Sequence, residues 1–366
     1  MARSPLTDEI AAAHTVLAAG GFAKPWAATV TKLAKLTEAK GPHDSSAPAL
    51  DDLRKLVTKG AASGSIFKSA GQVSEDEGIL AATGGYDFTK PEATSGINAA
   101  CIQRAAALKL LRHLHFLRKR GSHKFWLLSL SKGLKDWPSL ALKGATVSTL
   151  RVQLSDTEGY FSADDQKHLA EAAQESMKWV QKTLILLATA SKPKSKGAPA
   201  ALTVVKRYFA DENTTDEDLA TIASTLTAGF KKIQGVLGAG RMLLTDHPEV
   251  RNASAGENKG FWQSEAFVKG AREDLDVVYI ESAFFGTKNT IKGGLRNWAR
   301  ILVHELTHRE VATTDHRYSW HASGIGPKAG GAFDAAKALT NADSWAFFAA
   351  DAAGELTESE RNVAIK

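Results

Sequence analysis

The chain contains a single cysteine in its 366 residues, so no disulfide bond can form within one molecule. It has no apolar run near the roughly 18 to 20 residues that a membrane-spanning helix needs, and we expect no membrane span. Residues 1–9 carry no apolar stretch of the kind found in a classical signal peptide. We therefore expect a protein that is cytoplasmic, or one that is exported by a non-classical secretion route.

Charge is distributed unevenly along the chain. Residues 1–150 hold 20 Lys+Arg against 12 Asp+Glu, whereas residues 151–366 hold 26 against 28. The densest basic cluster spans residues 112–124. No recognised nucleic-acid motif accompanies it, and cations are favourable in the last turns of a helix. We interpret the cluster as the solvated end of a helix and expect no specific nucleic-acid partner.

Hydrophobic periodicity predicts an α+β protein that is predominantly helical. Residues 1–150 are predicted to form a mostly helical, basic N-terminal domain, in which residues 98–120 are the strongest helix candidate. The length of 366 residues favours a second domain after this one. Within the second domain, residues 276–285 are the best strand candidate, and this strand would lie either at a sheet edge or buried in the sheet. Nothing in residues 1–150 indicates a chemistry, so their role stays unassigned.

The most informative pattern is His304-Glu305-Leu306-Thr307-His308. Residues four apart lie on the same face of an α-helix, so both imidazoles can reach one metal ion. Glu305 follows the first histidine and can act on a water molecule without being a ligand itself. The pattern is the H-E-x-x-H motif of zinc peptidases, and it predicts a site for one catalytic Zn²⁺.

A catalytic zinc ion needs a third protein ligand. The metzincin class would place glycine and histidine where this chain has Val311 and Thr314, so that class is excluded. Residues 312–319, Ala-Thr-Thr-Asp-His-Arg-Tyr-Ser, instead resemble the Gly-Thr-x-Asp-x-x-Tyr-Gly segment of the aspzincins, the deuterolysin and peptidyl-lysine metalloendopeptidase family. The resemblance implies that Asp315 is the third zinc ligand and that Tyr318 stabilises the oxyanion of the reaction.

The spacing alone leaves His316 and His321 open as alternative ligands. A second resemblance lies at residues 341–343, Asn-Ala-Asp, where lysine-specific aspzincins carry acidic groups that receive the substrate lysine. Asp343 is therefore predicted to bind substrate. The position three residues later is Ala346, so no acidic pair is present and lysine specificity does not follow.

The resemblance implies a zincin-like domain with a small sheet at residues 155–356, followed by a C-terminal tail at residues 357–366. It also implies a zinc-dependent metalloendopeptidase activity, with Glu305 as general base. Its substrates would be proteins or peptides. Secreted fungal aspzincins carry disulfides, which this chain cannot form, so a delivered effector or toxin, made together with an inhibitor or immunity protein, is a further expectation. Two alternatives stay open: a zinc amidase that cleaves peptidoglycan peptides, and a non-catalytic, zinc-stabilised binding module.

Overall fold

The computed structural model describes residues 6–43, 46–62, 75–84, 97–119, 123–130, 138–155, 159, 161–192, 194–246, 264–269, 273–286, 291 and 293–366. Residues 1–5 of the segment used for the signal-peptide prediction, and residues 120–122 of the basic cluster, lie outside this description. The helices are α1 (Leu6–Ala19), α2 (Lys24–Leu33), α3 (Ala47–Ala62), α4 (Glu75–Ala82), α5 (Ala99–Arg112), α6 (Pro138–Ala141), α7 (Val147–Ser155), α8 (Ala163–Ala190), α9 (Ala198–Phe209), α10 (Asp216–Gly238), α11 (Gly294–Val311), α12 (Ala335–Leu339), α13 (Ala342–Ala352) and α14 (Glu358–Ala364). The strands are β1 (Leu114–Lys119), β2 (His123–Leu128), β3 (Leu243–Thr245), β4 (Ala266–Phe267) and β5 (Val277–Ile280).

The strands form one mixed sheet in the order β1-β2-β3-β5-β4. β1 and β2 form an antiparallel hairpin, β2, β3 and β5 run parallel, and β4 closes the far edge antiparallel to β5. The predicted fold class, predominantly helical with a small sheet, is confirmed. Because β2 pairs with β3, the sheet draws strands from both of the predicted domains, 1–150 and 155–356.

The two faces of this sheet are buried in two different cores. Alternate residues of a strand point to opposite faces. On one face, Leu127 and Val278 join a core formed with the C-terminal helices; on the other, Trp126 and Val277 join a core formed with the N-terminal helices. The continuous apolar run at residues 125–128 follows from this arrangement, because a strand that is buried on both faces has no polar alternation.

The helix predicted for residues 98–120 is too long. Helix α5 ends at Arg112, and residues 114–119 form β1, which pairs with β2 from Leu114 opposite Leu128 to Lys119 opposite His123. In the described part of the basic cluster, residues 114–119 and 123–124 therefore lie in paired strands, and only Arg112 belongs to the end of a helix. Pairing with a partner strand outweighed the helical pattern, which is a property of the segment alone.

The strand predicted at residues 276–285 is shorter and lies inside the sheet. β5 has β3 on one side and β4 on the other, all of its residues are buried, and residues 282–285 form a 3₁₀ turn. The edge strand on this side is β4. The open choice between an edge and a buried strand is thereby decided in favour of the buried one.

The C-terminal helices surround α11. Ser162 caps helix α8: its hydroxyl accepts from the Asp165 amide in a capping box. The helix packs against α10, α11 and α13. The predicted tail, residues 357–366, contains α14, in which Ala364 is buried. No helix in the described part of the chain is both long and apolar enough to cross a bilayer.

Candidate active site

Helix α11 carries both histidines of the motif and Glu305. It lies within the C-terminal core, and residues 297–307 are buried without interruption. The helix ends at Ala312, which has a left-handed backbone (φ 59°), and Ala312 N and Thr313 N both donate to Thr307 O. This left-handed ending reverses the chain direction, so that the following segment returns along the helix toward the histidines.

The segment after this reversal brings Asp315 to the two histidines. His304 Nε2 lies 3.1 Å from His308 Nε2, and Asp315 Oδ1 lies 3.1 Å from the first and 3.3 Å from the second. Ligand atoms that are ~2.1 Å from a tetrahedral zinc ion lie about 3.4 Å from one another. The three atoms thus already have the spacing that a zinc ion requires.

The electrostatics of these three groups match a cation site. Burial alone would raise the pKa of Asp315, but hydrogen bonds from His304 and His308 hold that pKa well below its usual range. Burial alone would lower the pKa of His304, but bonds to Asp315 and Asp343 raise it to about 10. Without a metal ion, the site therefore takes up protons, and these must leave when a metal ion binds.

The alternative ligands lie elsewhere. His316 Nε2 is 2.8 Å from Thr314 Oγ1 and 3.0 Å from Thr340 Oγ1. His321 Nδ1 lies 3.5 Å from Tyr318 N. Within the described residues, the one group of candidate ligands of three or more members is His304, His308 and Asp315.

Both histidines of the motif are oriented by their second ring nitrogen. His304 Nδ1 is 3.1 Å from Asp343 Oδ1, and His308 Nδ1 is 2.8 Å from Thr313 O. Each of these oxygens accepts a hydrogen bond from Nδ1, so Nε2 is the nitrogen that faces the metal position and that a metal ion would bind once the Nε2 proton has left. Partners of this kind are common behind metal-binding histidines.

Asp343, the predicted substrate-binding residue, lies in the interior of the structure, where its side chain is 0% exposed. Besides His304, the carboxylate accepts from Arg300 Nη1 at 3.2 Å and from Ser319 N at 2.8 Å. Arg300, itself 1% exposed, also pairs with Glu265. Both oxygens of Asp343 are therefore engaged inside the protein, Oδ1 with His304 and Arg300 and Oδ2 with Ser319 N.

Sequence reasoning missed Arg300. Arg300 lies four residues before His304 on a buried helix, so the two side chains are on the same face. A cation at that position calls for a buried anion nearby, and Asp343 supplies it. The spacing was visible in the sequence, but the identity of its partner was not.

Glu305 and Tyr318 complete the site. Glu305 is 6% exposed; burial raises its pKa, and the positive charges of His304 and His308 oppose that rise. Tyr318 lies parallel to His304, with ring centroids 6.1 Å apart. Burial and the nearby charge of Asp315 raise the pKa of Tyr318, so its hydroxyl keeps its proton at neutral pH.

The family model for the aspzincins, described as lysine-specific metallo-endopeptidase, matches residues 194–350. The match contains every residue of the site described above. The matched segment is an aspzincin zinc metallopeptidase. Among solved structures, a zinc peptidase from Grifola frondosa is similar: it is 21% identical, with a TM-score of 0.34, over 52% of this chain and 96% of that chain. No curated protein matched the chain.

The departures of this aspzincin segment from the family pattern differ in their consequences. Ser319, in place of the second glycine, has an ordinary backbone and is buried against Asp343. Ala312, in place of the first glycine, is the one non-glycine residue with positive φ in the described part of the chain. A Cβ atom in the left-handed region costs roughly 1 kcal/mol, so the backbone at Ala312 is strained.

Ala312→Gly is expected to raise the free energy of unfolding by about 0.5–1 kcal/mol, because relief of this strain exceeds the added backbone entropy of the unfolded chain. The midpoint of urea denaturation measures it. Ala239→Gly is the matched control, since Ala239 also ends a helix but has a right-handed backbone (φ −72°), and it should give no gain. An equal effect at the two positions would contradict the argument.

Proposed function

We propose that residues 194–350 hydrolyse internal peptide bonds of proteins, with one zinc ion held by His304, His308 and Asp315. The observation that carries this proposal is the spacing of 3.1 to 3.3 Å among the three ligand atoms, beside a buried glutamate. A structural zinc site usually closes with four protein ligands. Three ligands next to Glu305 and Tyr318 are typical of catalysis.

When bound, a zinc ion would supply a Lewis acid that polarises the scissile carbonyl and lowers the pKa of water. Glu305 takes the proton of the attacking water and delivers it to the leaving amine. Burial favours the protonated carboxyl, which is the form that must exist between these two transfers. Because the Tyr318 phenol keeps its proton, it can donate a hydrogen bond to the oxyanion.

Asp343 and Arg300 act through His304 and not on the substrate. The ion pair between them satisfies two buried charges, and Ser319 N adds a further donor to Asp343. This arrangement holds the His304 ring in a single orientation. The Asp343 backbone also belongs to α13, so the ligand is fixed from a second helix.

Metal analysis combined with proteolysis of an unfolded protein tests the proposal. We expect one zinc ion per chain, loss of cleavage on chelation, and recovery on adding zinc, while a serine-protease inhibitor has no effect. Absence of bound zinc would contradict the proposal. Bound zinc with digestion of peptidoglycan peptides, and none of protein, would favour the amidase alternative.

A further inference from the structure

Trp320 extends the active site outward as an exposed aromatic surface. Its ring stacks on Tyr318, with centroids 4.3 Å apart and planes 10° apart. Tyr318 in turn lies nearly parallel to His304, at 6.1 Å and 12°. The three rings therefore form a row that begins at a metal ligand and ends in solvent.

The indole of Trp320 is 48% exposed although it is large and apolar. Of the large hydrophobic side chains exposed in the described residues, it alone is aromatic. A single exposed apolar residue needs no explanation by itself. Trp320 differs from the other exposed apolar residues because its ring stacks on Tyr318, a residue of the candidate active site.

The backbone on both sides of Trp320 is fixed. Ser319 N donates to Asp343 Oδ2 at 2.8 Å, and His321 N donates to Tyr318 O at 3.0 Å. Three residues before Trp320, Arg317 N donates to Asn341 Oδ1 at 2.9 Å. The exposed ring is thus held in place before any ligand arrives, and a surface fixed in this way loses little entropy on binding.

We propose that Trp320 binds a bulky apolar side chain of the peptide substrate, aromatic by preference, close to the scissile bond. An extended peptide advances ~3.3 Å per residue, so the ring spacings of 6.1 and 4.3 Å correspond to a substrate residue one to three positions from that bond. Aromatic rings prefer offset or edge-to-face contact, which a fixed indole offers to a mobile side chain. This inference rests on the proposed peptidase function.

The alternative role for Trp320 is to hold Tyr318 in position. A residue with only that role would change kcat by the same factor for every substrate, since the Tyr318 hydroxyl acts on the backbone oxyanion. A residue that binds substrate changes KM, and only for peptides that carry the matching side chain. The two roles therefore separate in the kinetics.

The test uses zinc-loaded full-length protein and matched peptides that differ by Phe or Gly at one position, scanned over three residues on each side of the cleaved bond. At one position, wild type should prefer Phe by about tenfold in kcat/KM. Trp320→Ala should abolish that preference through KM, and Trp320→Phe should keep most of it. Ile185→Ala, which changes an exposed side chain on α8, is the control and should leave the preference intact.

A preference that survives in Trp320→Ala, a wild type without any preference, or an equal loss of kcat for all peptides would overturn the proposal. Binding of the same labelled peptides to zinc-loaded Glu305→Gln distinguishes a failure of the Trp320 proposal from a failure of the proposed peptidase function. Trp320-dependent binding without cleavage by wild type would support the aromatic surface and contradict the peptidase function. Cleavage by wild type without any preference for Phe would support the peptidase function and contradict the proposed role of Trp320.

Discussion

Replacing Glu305 with glutamine is expected to lower kcat by about a thousandfold or more while one zinc ion stays bound. Glutamine has nearly the same shape but cannot accept and return a proton at neutral pH. The ligand atoms belong to His304, His308 and Asp315, so the substitution leaves the proposed metal site intact. Loss of turnover without loss of metal is the signature of a proton-transferring group.

Steady-state cleavage of an unfolded protein, together with metal analysis of the same preparation, measures both effects. Glu310→Gln is the matched control, because Glu310 lies on the same helix and is absent from the ligand group. It should cleave at a rate near that of wild type. A Glu305→Gln protein that cleaves as fast as wild type would refute the assignment of the general base.

Asp315→Ala is expected to weaken zinc binding by at least about a hundredfold. Loss of a partner behind a ligand costs 10–100-fold in affinity, and loss of a ligand itself costs more. The substitution would also remove the one anion among the three ligand groups, leaving two imidazoles in a partly buried site. Zinc titration against a competing chelator measures the change.

His316→Ala and His321→Ala are the controls for this experiment. Both side chains are exposed and turned toward other partners, so each variant should bind zinc as wild type does. If zinc affinity instead falls with one of these histidines and not with Asp315, that histidine is the third ligand and the metal arrangement proposed above is wrong.

The proposed ligand set could be predicted from the sequence because its parts are local. His304 and His308 are four apart on a helix, and helix geometry alone brings them together. Asp315 follows within one chain reversal, and the segment up to Tyr318 resembles a known pattern. The structure adds the reason for the glycine in that pattern, since the residue at position 312 adopts a left-handed backbone.

Secondary structure could be predicted from the sequence only where the apolar spacing and capping residues of the segment itself specify it. The helix predicted from residue 98 is confirmed for Ala99–Arg112, whose first turn Asn98 caps through its side chain. Residues 114–119 carry a helical pattern as well, yet they form a strand. Their conformation is decided by β2, and no property of the segment alone reports such a partner.

The proposed zinc site followed from the sequence alone, because it needs only two histidines and a glutamate at helical spacing and an aspartate and a tyrosine at a family-like offset. The neighbours of these groups became known from the packing of the helices. Asp343 is a buried partner of His304, because α13 packs against α11 and Arg300 neutralises the carboxylate between them. The exposed ring of Trp320 is likewise linked to the candidate active site only by its stacking on Tyr318, which the structure shows. Local spacing fixes which atoms can share a metal ion, whereas burial and neighbouring charge depend on residues far apart in the chain.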